Sequence, residues 1–488
     1  MGEYEYEYDY VIVGGGPSGL TCALYLSSLE NYRVLLIDKN PSLGGCHRVI
    51  RVGEENYFTE HGPRMYSSAY VNLKTVLQRI NLSFDDVFVK SNFDLKNNLY
   101  KSIKIFSLRE IFILALQFMK MTLYGCGENL KYTSVKNFAD NYNFSEEAKD
   151  YMNRMCRLTD GAGSDRYSMH EFMNLFNQNF FYSLYQPKHP NDEYLFKLWE
   201  TALLKSNVTI LKNTECISVQ NNYIETQSNH LIKYNKLILC LPPRPFLKLV
   251  NNSQVNGNPM RNLFSTKENL DTWVEDNSYN KIISVTYHWT NKIDLPQIWG
   301  SPKDDWGIAF IVLTDYMNAE PTSKLVISVC ITFQNSKSSF TGKTAFESNE
   351  EELVAEIFRQ LKISFPKLPF YSKAIINPTV TYDKNNNKWH EEDTAYSITD
   401  KQDFIDFKSN DPNIFFVGTQ NGNSYYSFTS MESAISNALY ALRQIEPKLK
   451  HSIEIKNSID LVLIVRVFFF VLFILVVIAI FFSYVINK

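Results

Sequence analysis

This 488-residue sequence predicts an α/β fold: a nucleotide-binding sheet domain, interrupted by an α+β insertion and followed by a C-terminal transmembrane helix. Three observations carry the prediction. A short apolar strand near the start runs straight into a glycine-rich turn and a helix. A second buried-type strand, about 400 residues later, also ends in a glycine. The final stretch of chain is apolar without interruption.

Residues 9–13 read as the first strand, Gly14-Gly15-Gly16-Pro17-Ser18-Gly19 as the turn, and residues 20–29 as the helix. In that setting Gly14 permits the tight turn, Gly16 lets backbone N–H groups approach a pyrophosphate, and Gly19 lets the helix pack closely on the strand. The diphosphate would sit on the helix N-terminus, beside Pro17 and Ser18. A second strand, residues 33–37, ends in Asp38 and Lys39. Asp38 lies at the distance from the glycines expected of an acid that accepts a hydrogen bond from a ribose 2′-hydroxyl. Strand, glycines, helix, strand and acid in that order predict a Rossmann-like domain for an adenosine with a free 2′-OH.

Two more glycine turns follow soon after the acid, Leu43-Gly44-Gly45 and Glu60-His61-Gly62-Pro63. Each lets backbone pass close to something bulky. Near the other end, residues 413–417 read as a buried strand running into Gly418-Thr419, and Ser430-Met431-Glu432 opens a helix of small residues. This order resembles the flavin-containing amine oxidoreductase superfamily, which includes monoamine and polyamine oxidases, protoporphyrinogen oxidase, phytoene desaturases and, more distantly, UDP-galactopyranose mutase. The resemblance is piecewise over residues 9–445. It implies an FAD-binding domain in which Gly418, Met431 and Glu432 close over the isoalloxazine, and Cys216 stands where a backbone amide meets the adenine. Amine oxidases usually read Gly-Gly-Arg where this chain has Gly44-Gly45-Cys46, which leaves Arg48 to meet the FAD phosphates. Gln420 replaces a common glutamate, and residues 60–66 look as much like the desaturase and mutase branches.

The resemblance also supplies candidate catalytic residues. Lys281, in Tyr279-Asn280-Lys281-Ile282-Ile283-Ser284, looks like the lysine of polyamine oxidases and lysine-specific histone demethylases that holds a water against flavin N5. A buried ammonium is costly without such a partner. The segment Trp389 to Tyr396 resembles the monoamine oxidase segment whose cysteine bonds covalently to the flavin. Ala395 occupies the cysteine position here, so the resemblance implies non-covalent FAD. Tyr396 then forms one aromatic wall, and Tyr425 or Tyr426 the other, around an amine or another flat or cationic group. The reading is an FAD-dependent, amine oxidase-like oxidoreductase that moves a hydride from a substrate C–H bond to FAD, with molecular oxygen as acceptor. Its substrate is a small molecule, an amine or a lipophilic compound. A desaturase or protoporphyrinogen-type oxidase, a redox-neutral sugar-nucleotide mutase, and a catalytically inactive membrane-tethered scaffold remain open within the same fold.

A net charge of −3 carries no basic excess, which argues against a nucleic-acid partner. Seven cysteines lie far apart without a CxxC pair, indicating a reducing compartment and no metal site. The acidic, tyrosine-rich start shows no signal peptide. Residues 467–486 are 20 residues without a charge. At helical rise they span roughly 30 Å, the thickness of a bilayer core. Arg466, Lys456, Lys450 and Lys448 precede that span, so the positive-inside tendency predicts a single-pass tail anchor with the globular part facing the cytosol.

The expected layout places the FAD-binding domain in residues 1–72, 205–265 and 385–446. A mainly helical insertion occupies 73–204 and a substrate-domain sheet 266–384, with a juxtamembrane linker over 447–466 before the anchor at 467–486. Residues 205–219 alternate as a strand pair would, and 236–241 form a strand closed by Pro242-Pro243. The apolar helix 111–123 is too short to cross a bilayer. It is expected to wall the substrate domain from inside, the alternative being a membrane-lying helix beside the entrance.

Overall fold

The computed structural model describes residues 6–486 apart from 92–103, 126–127, 162, 265–268, 278–281, 296–303, 314–321, 392–403 and 428. Its largest sheet has nine strands and is built around Tyr6–Val13. That strand pairs in parallel with Val34–Ile37 on one side and Leu231–Leu239 on the other. Thr209–Leu211 extends the sheet beyond Val34–Ile37, and Ile414–Phe416 adds in parallel to the end of Leu231–Leu239. Both faces of its second half are covered, which is why residues 10–13 are apolar throughout, whereas Glu7 and Asp9 lie in the less buried first half. Tyr10 and Ile12 pack toward the helices Pro17–Leu26 and Met431–Ile445, whereas Val11 and Val13 pack toward Pro243–Asn251 and Leu270–Asp276.

The expected strand pair over 205–219 does not form. Thr209–Leu211 joins one edge of the sheet, while Cys216–Gln220 lies on the opposite side and pairs antiparallel with Tyr223–Thr226. Alternating side chains fix which face a strand buries and leave its partner open. The hairpin instead closes at Asn221, whose positive φ of 44° suits a tight reversal.

A second sheet of four antiparallel strands runs in the order Ile308–Val312, Leu325–Ile331, Ser284–Trp289, Lys373–Ile376, with the helix Glu350–Ser364 packed on it. It is joined to the first domain by buried polar contacts. The Ser284 hydroxyl donates to the His61 carbonyl, Thr59 and Thr286 share a hydrogen bond of 3.0 Å, and a His288 ring nitrogen meets the Phe58 carbonyl at 2.9 Å. The chain between 71 and 205 is mainly helical, its longer helices being Leu108–Tyr124, Glu146–Asp160, Met169–Asn179 and Leu195–Lys205.

Two helices differ from expectation. In Leu108–Tyr124 the buried residues are Glu110, Gln117, Met121 and Thr122, and Ile113, Leu114 and Phe118 pack against the core, but Leu108, Phe112, Leu116 and Leu123 are exposed, so only one side of this helix forms an internal wall. Apolar spacing says which residues share a face and not what that face meets. The C-terminal helix runs Leu461–Ile486 and so starts six residues before the expected span, because Asp460 accepts from Leu463 N–H at 2.7 Å and caps it. Its segment Leu461–Ser483, with a mean hydropathy of 3.4, is long and apolar enough to cross a membrane.

The closeness of helix and strand at the fingerprint is testable by one methyl group. A Cβ at Gly19 would lie 1.9 Å from the Gly14 carbonyl oxygen, a backbone atom that cannot step aside. Gly19→Ala is expected to cost about 2–3 kcal/mol of stability, read as a lowered thermal midpoint.

Candidate functional site

The helix Pro17–Leu26 begins at Gly16 with no side chain capping it, which leaves first-turn N–H groups for an outside acceptor. The Ser18 hydroxyl is already committed, donating to the Ala434 carbonyl at 3.0 Å. Facing this turn is Gly45, whose φ of +58° places its Cβ position 3.2 Å from the Gly16 Cα. Two bare loops therefore meet where an anion would be cradled. Asp38 lies beside them, its Oδ2 accepting from Gly15 N–H at 2.7 Å and its Oδ1 from Asn40 N–H at 2.8 Å. Burial raises its carboxyl above the usual range, against the lowering effect of those hydrogen bonds.

These groups open into one cavity of about 770 Å³. Gly14, Gly16, Pro17, Ser18, Gly45 and Arg48 form one part of its wall, and Asp38, Lys39, Thr214 and Cys216 another. Gly62, Gly418, Tyr426 and Met431 line it too, so chain segments about 400 residues apart share one space. Arg48 is buried and donates to the Gly45 carbonyl at 3.0 Å.

Other sequence-selected residues lie elsewhere. Gly19 sits behind the wall as the packing glycine, and Gly44, at φ +117°, has room only for hydrogen because a Cβ would meet the Phe196 ring at 2.4 Å. Glu432 turns its carboxylate away from the cavity. It accepts from the backbone N–H groups of Asn72 and Leu73, both at 2.9 Å, and so caps the helix Val71–Arg79, which has no cap of its own. Tyr425 also turns away, donating its hydroxyl to Asp460, while Tyr426 stays on the wall, held by Asn179 Oδ1 at 3.0 Å with Tyr70 edge-on at 5.2 Å. Lys281 and Tyr396 lie outside the described residues, although Ile282 lines the cavity.

The cavity also contains a basic cluster that sequence reasoning passed over. Arg64 donates to the Cys46 carbonyl, but its buried Nε has no partner among the described residues, and neither does Nε2 of His61. Burial, with Arg64 and Arg48 nearby, pushes the His61 pKa down to about 3, so its ring is neutral. Arg157 joins them, lying over the Phe333 ring at 4.6 Å and donating to the Thr332 carbonyl at 2.7 Å. The turn at 60–63 was visible in the sequence and pointed at Arg64. Nothing distinguished Arg157 from any arginine on a helix.

Residues 12–80 match the family described as NAD(P)-binding Rossmann-like domain. A comparison of the sequence with curated proteins finds no match. Among solved structures, the chain is similar to a putrescine oxidase bound to putrescine, with a TM-score of 0.63 at 14% identity over 90% of this chain and 99% of that one. It is also similar to cyclohexylamine oxidase from Brevibacterium oxydans, with a TM-score of 0.59 at 12% identity over 91% and 99%. A protein described as a protoporphyrinogen oxidase from Exiguobacterium matches with a TM-score of 0.55 at 13% identity over 92% and 100%. The chain thus combines a Rossmann-like domain with the overall fold that these solved structures share.

Behind the basic cluster, Glu60 is buried and its pKa is pushed up to about 7 by desolvation, against the lowering effect of Arg64. In the unfolded chain it ionises near its ordinary value of 4.5. Its raised folded value means that stability is fully present below about pH 4.5 and is lost as pH rises through 7. Glu60→Gln is therefore expected to gain on the wild type between pH 5 and 8 by about 3 kcal/mol, measured by chemical denaturation at each pH.

Proposed function

We propose that this chain is an FAD-dependent oxidoreductase, anchored in a membrane by its C-terminal helix, that takes a hydride from a substrate C–H bond with oxygen as the final acceptor. The observation that supports it is the single cavity lined by Gly16, Asp38, Cys216, Gly418 and Met431. Those residues suit FAD: bare glycine backbone and a helix N-terminus for the diphosphate, a buried carboxylate for the ribose, and a cation, Arg48, beside the glycines. FAD, when bound without a covalent link, supplies the hydride acceptor. The protein's part is to hold the dinucleotide, exclude water and place the substrate. Tyr426 and Tyr70 offer π-faces to it, and Lys281, next to the lining residue Ile282, holds a water that assists reoxidation. Lys448, Lys450, Lys456 and Arg466 ahead of the apolar span favour a cytosolic globular part.

An amine is the first reading of the substrate, in line with the putrescine and cyclohexylamine oxidases that share the fold. The half-buried arginines Arg64 and Arg157 on the cavity wall support a second, a lipophilic substrate with an acidic group of the protoporphyrinogen type. An anaerobic flavin-bleaching screen over polyamines, monoamines, amino acids, porphyrinogens and polyenes separates them, and bleaching by none of these would remove both. Lys281→Met is expected to slow reoxidation of the bleached protein by oxygen at least tenfold, and an unchanged rate contradicts the water-holding role. Arg64→Met is expected to weaken an acidic substrate roughly 10- to 100-fold and to leave a neutral or cationic one nearly unaffected, since a lost charged hydrogen bond is worth about 1.5–3 kcal/mol.

A further inference from the structure

The helix Leu108–Tyr124 exposes a row of large apolar side chains that a protein surrounded by water would cover. Its outward stripe is apolar: Leu108 is 87% exposed, Phe112 63%, Leu116 43% and Leu123 59%. Glu110 and Gln117 are buried on the inward side, where Ile113, Leu114 and Phe118 pack against the core. Glu110 accepts from Ser107 N–H at 2.6 Å and Ser145 N–H at 2.5 Å, and Gln117 donates to the Tyr142 hydroxyl at 3.2 Å. A surface helix in water carries polar side chains on the outer face that this stripe occupies.

What the stripe faces follows from the neighbouring helix. Leu461–Ile486 packs against the end of Leu108–Tyr124, where Arg466 donates Nε to the Thr122 carbonyl at 2.6 Å and Nη2 to the Met121 carbonyl at 3.3 Å. Arg466 is the last charge before the 20 uncharged residues 467–486, which match a bilayer core in length. An arginine in that position marks the boundary between lipid headgroups and acyl chains. The carbonyls it holds therefore stand at the same depth. The rest of the helix carries exposed cations, Arg109 and Lys120, and its single acid, Glu110, is turned inward. That is the charge pattern of a helix lying on an anionic lipid surface.

We propose that Leu108–Tyr124 lies in the headgroup region of the same membrane that Leu461–Ile486 crosses, with Phe112 and Leu116 entering the acyl boundary. The globular part is then held at two points and in one orientation, with Arg466 as the pin between them. The proposal rests on the reading of the C-terminal helix as a membrane span, and the test separates the two.

The full chain is placed in bilayers of phosphatidylcholine and phosphatidylserine whose acyl chains carry bromine, which quenches nearby tryptophan. Phe112→Trp is expected to show emission shifted to the blue and quenching well above the wild-type background, as is Phe473→Trp inside the span. Phe340→Trp, at an exposed site on the second domain, is expected to show neither. Quenching at 473 without quenching at 112 overturns the proposal and leaves the span standing. No quenching at 473 removes the span and the proposal together. Blue-shifted emission at 112 in detergent that bromine lipids do not quench would mean a second copy of the chain covers the stripe, and it too overturns the proposal.

Discussion

The contact on which the site depends is the meeting of two glycines, Gly16 and Gly45, from loops that follow different strands. The Gly45 Cβ position lies 3.2 Å from Gly16 Cα, so neither loop carries anything that would occupy the space between helix N-terminus and ligand. Gly14 and Gly19 make that approach possible from behind. Their missing side chains let the strand end and the helix start touch, with Cβ positions 2.3 Å from the Cys240 carbonyl oxygen and 1.9 Å from the Gly14 carbonyl oxygen respectively. Backbone thus takes the place that side chains would fill in an ordinary core.

The helix Met431–Ile445 then closes the site like a clasp. It receives the Ser18 hydroxyl on its Ala434 carbonyl, and Glu432 sends its carboxylate across to the start of Val71–Arg79. Just beyond its end, Glu446 accepts from the Tyr10 hydroxyl on the central strand. Burial pushes the Glu432 pKa up to about 7, and its hydrogen bonds oppose that rise. One helix therefore presents its first turn to the cavity and holds three neighbouring elements, through a backbone carbonyl, one carboxylate and the residue just past its end. The same logic extends to the helix Leu461–Ile486, whose capping Asp460 accepts from Tyr425 and from Asn177. Tyr425 and Asn177 are close neighbours in sequence of Tyr426 and Asn179 on the cavity wall, so the last helix and the cavity share a foundation.

Much of this was legible in the sequence, for identifiable reasons. Gly14, Gly16, Gly19 and Asp38 could be placed because each answers a steric or hydrogen-bonding demand that few other residues meet. Met431 and Gly418 could be placed because a strand ending in glycine and a helix of small residues imply close packing against something large. Glu432 was placed near the cofactor by its position in the helix, yet the direction of its side chain is decided by Val71–Arg79, which no local pattern reveals. Arg157 gave no signal because its role comes from where its helix is packed. The stretch 111–123 was legible as an apolar helix, but which of its residues face outward is decided by the elements it packs against.

The central claim is that the glycine cradle holds one FAD per chain, and Gly16 offers the most direct measurement. Its φ of −78° is open to any residue, and the nearest atom to its Cβ position, Gly45 Cα, is 3.7 Å away, so a side chain there fills the cradle without forcing the backbone. Flavin released by acid from detergent-purified protein should amount to one FAD per chain in the wild type. Gly16→Val should release close to none while melting as cooperatively as the wild type. Wild-type protein that is colourless and takes up no added FAD, or a valine variant that keeps its full flavin, would contradict the account.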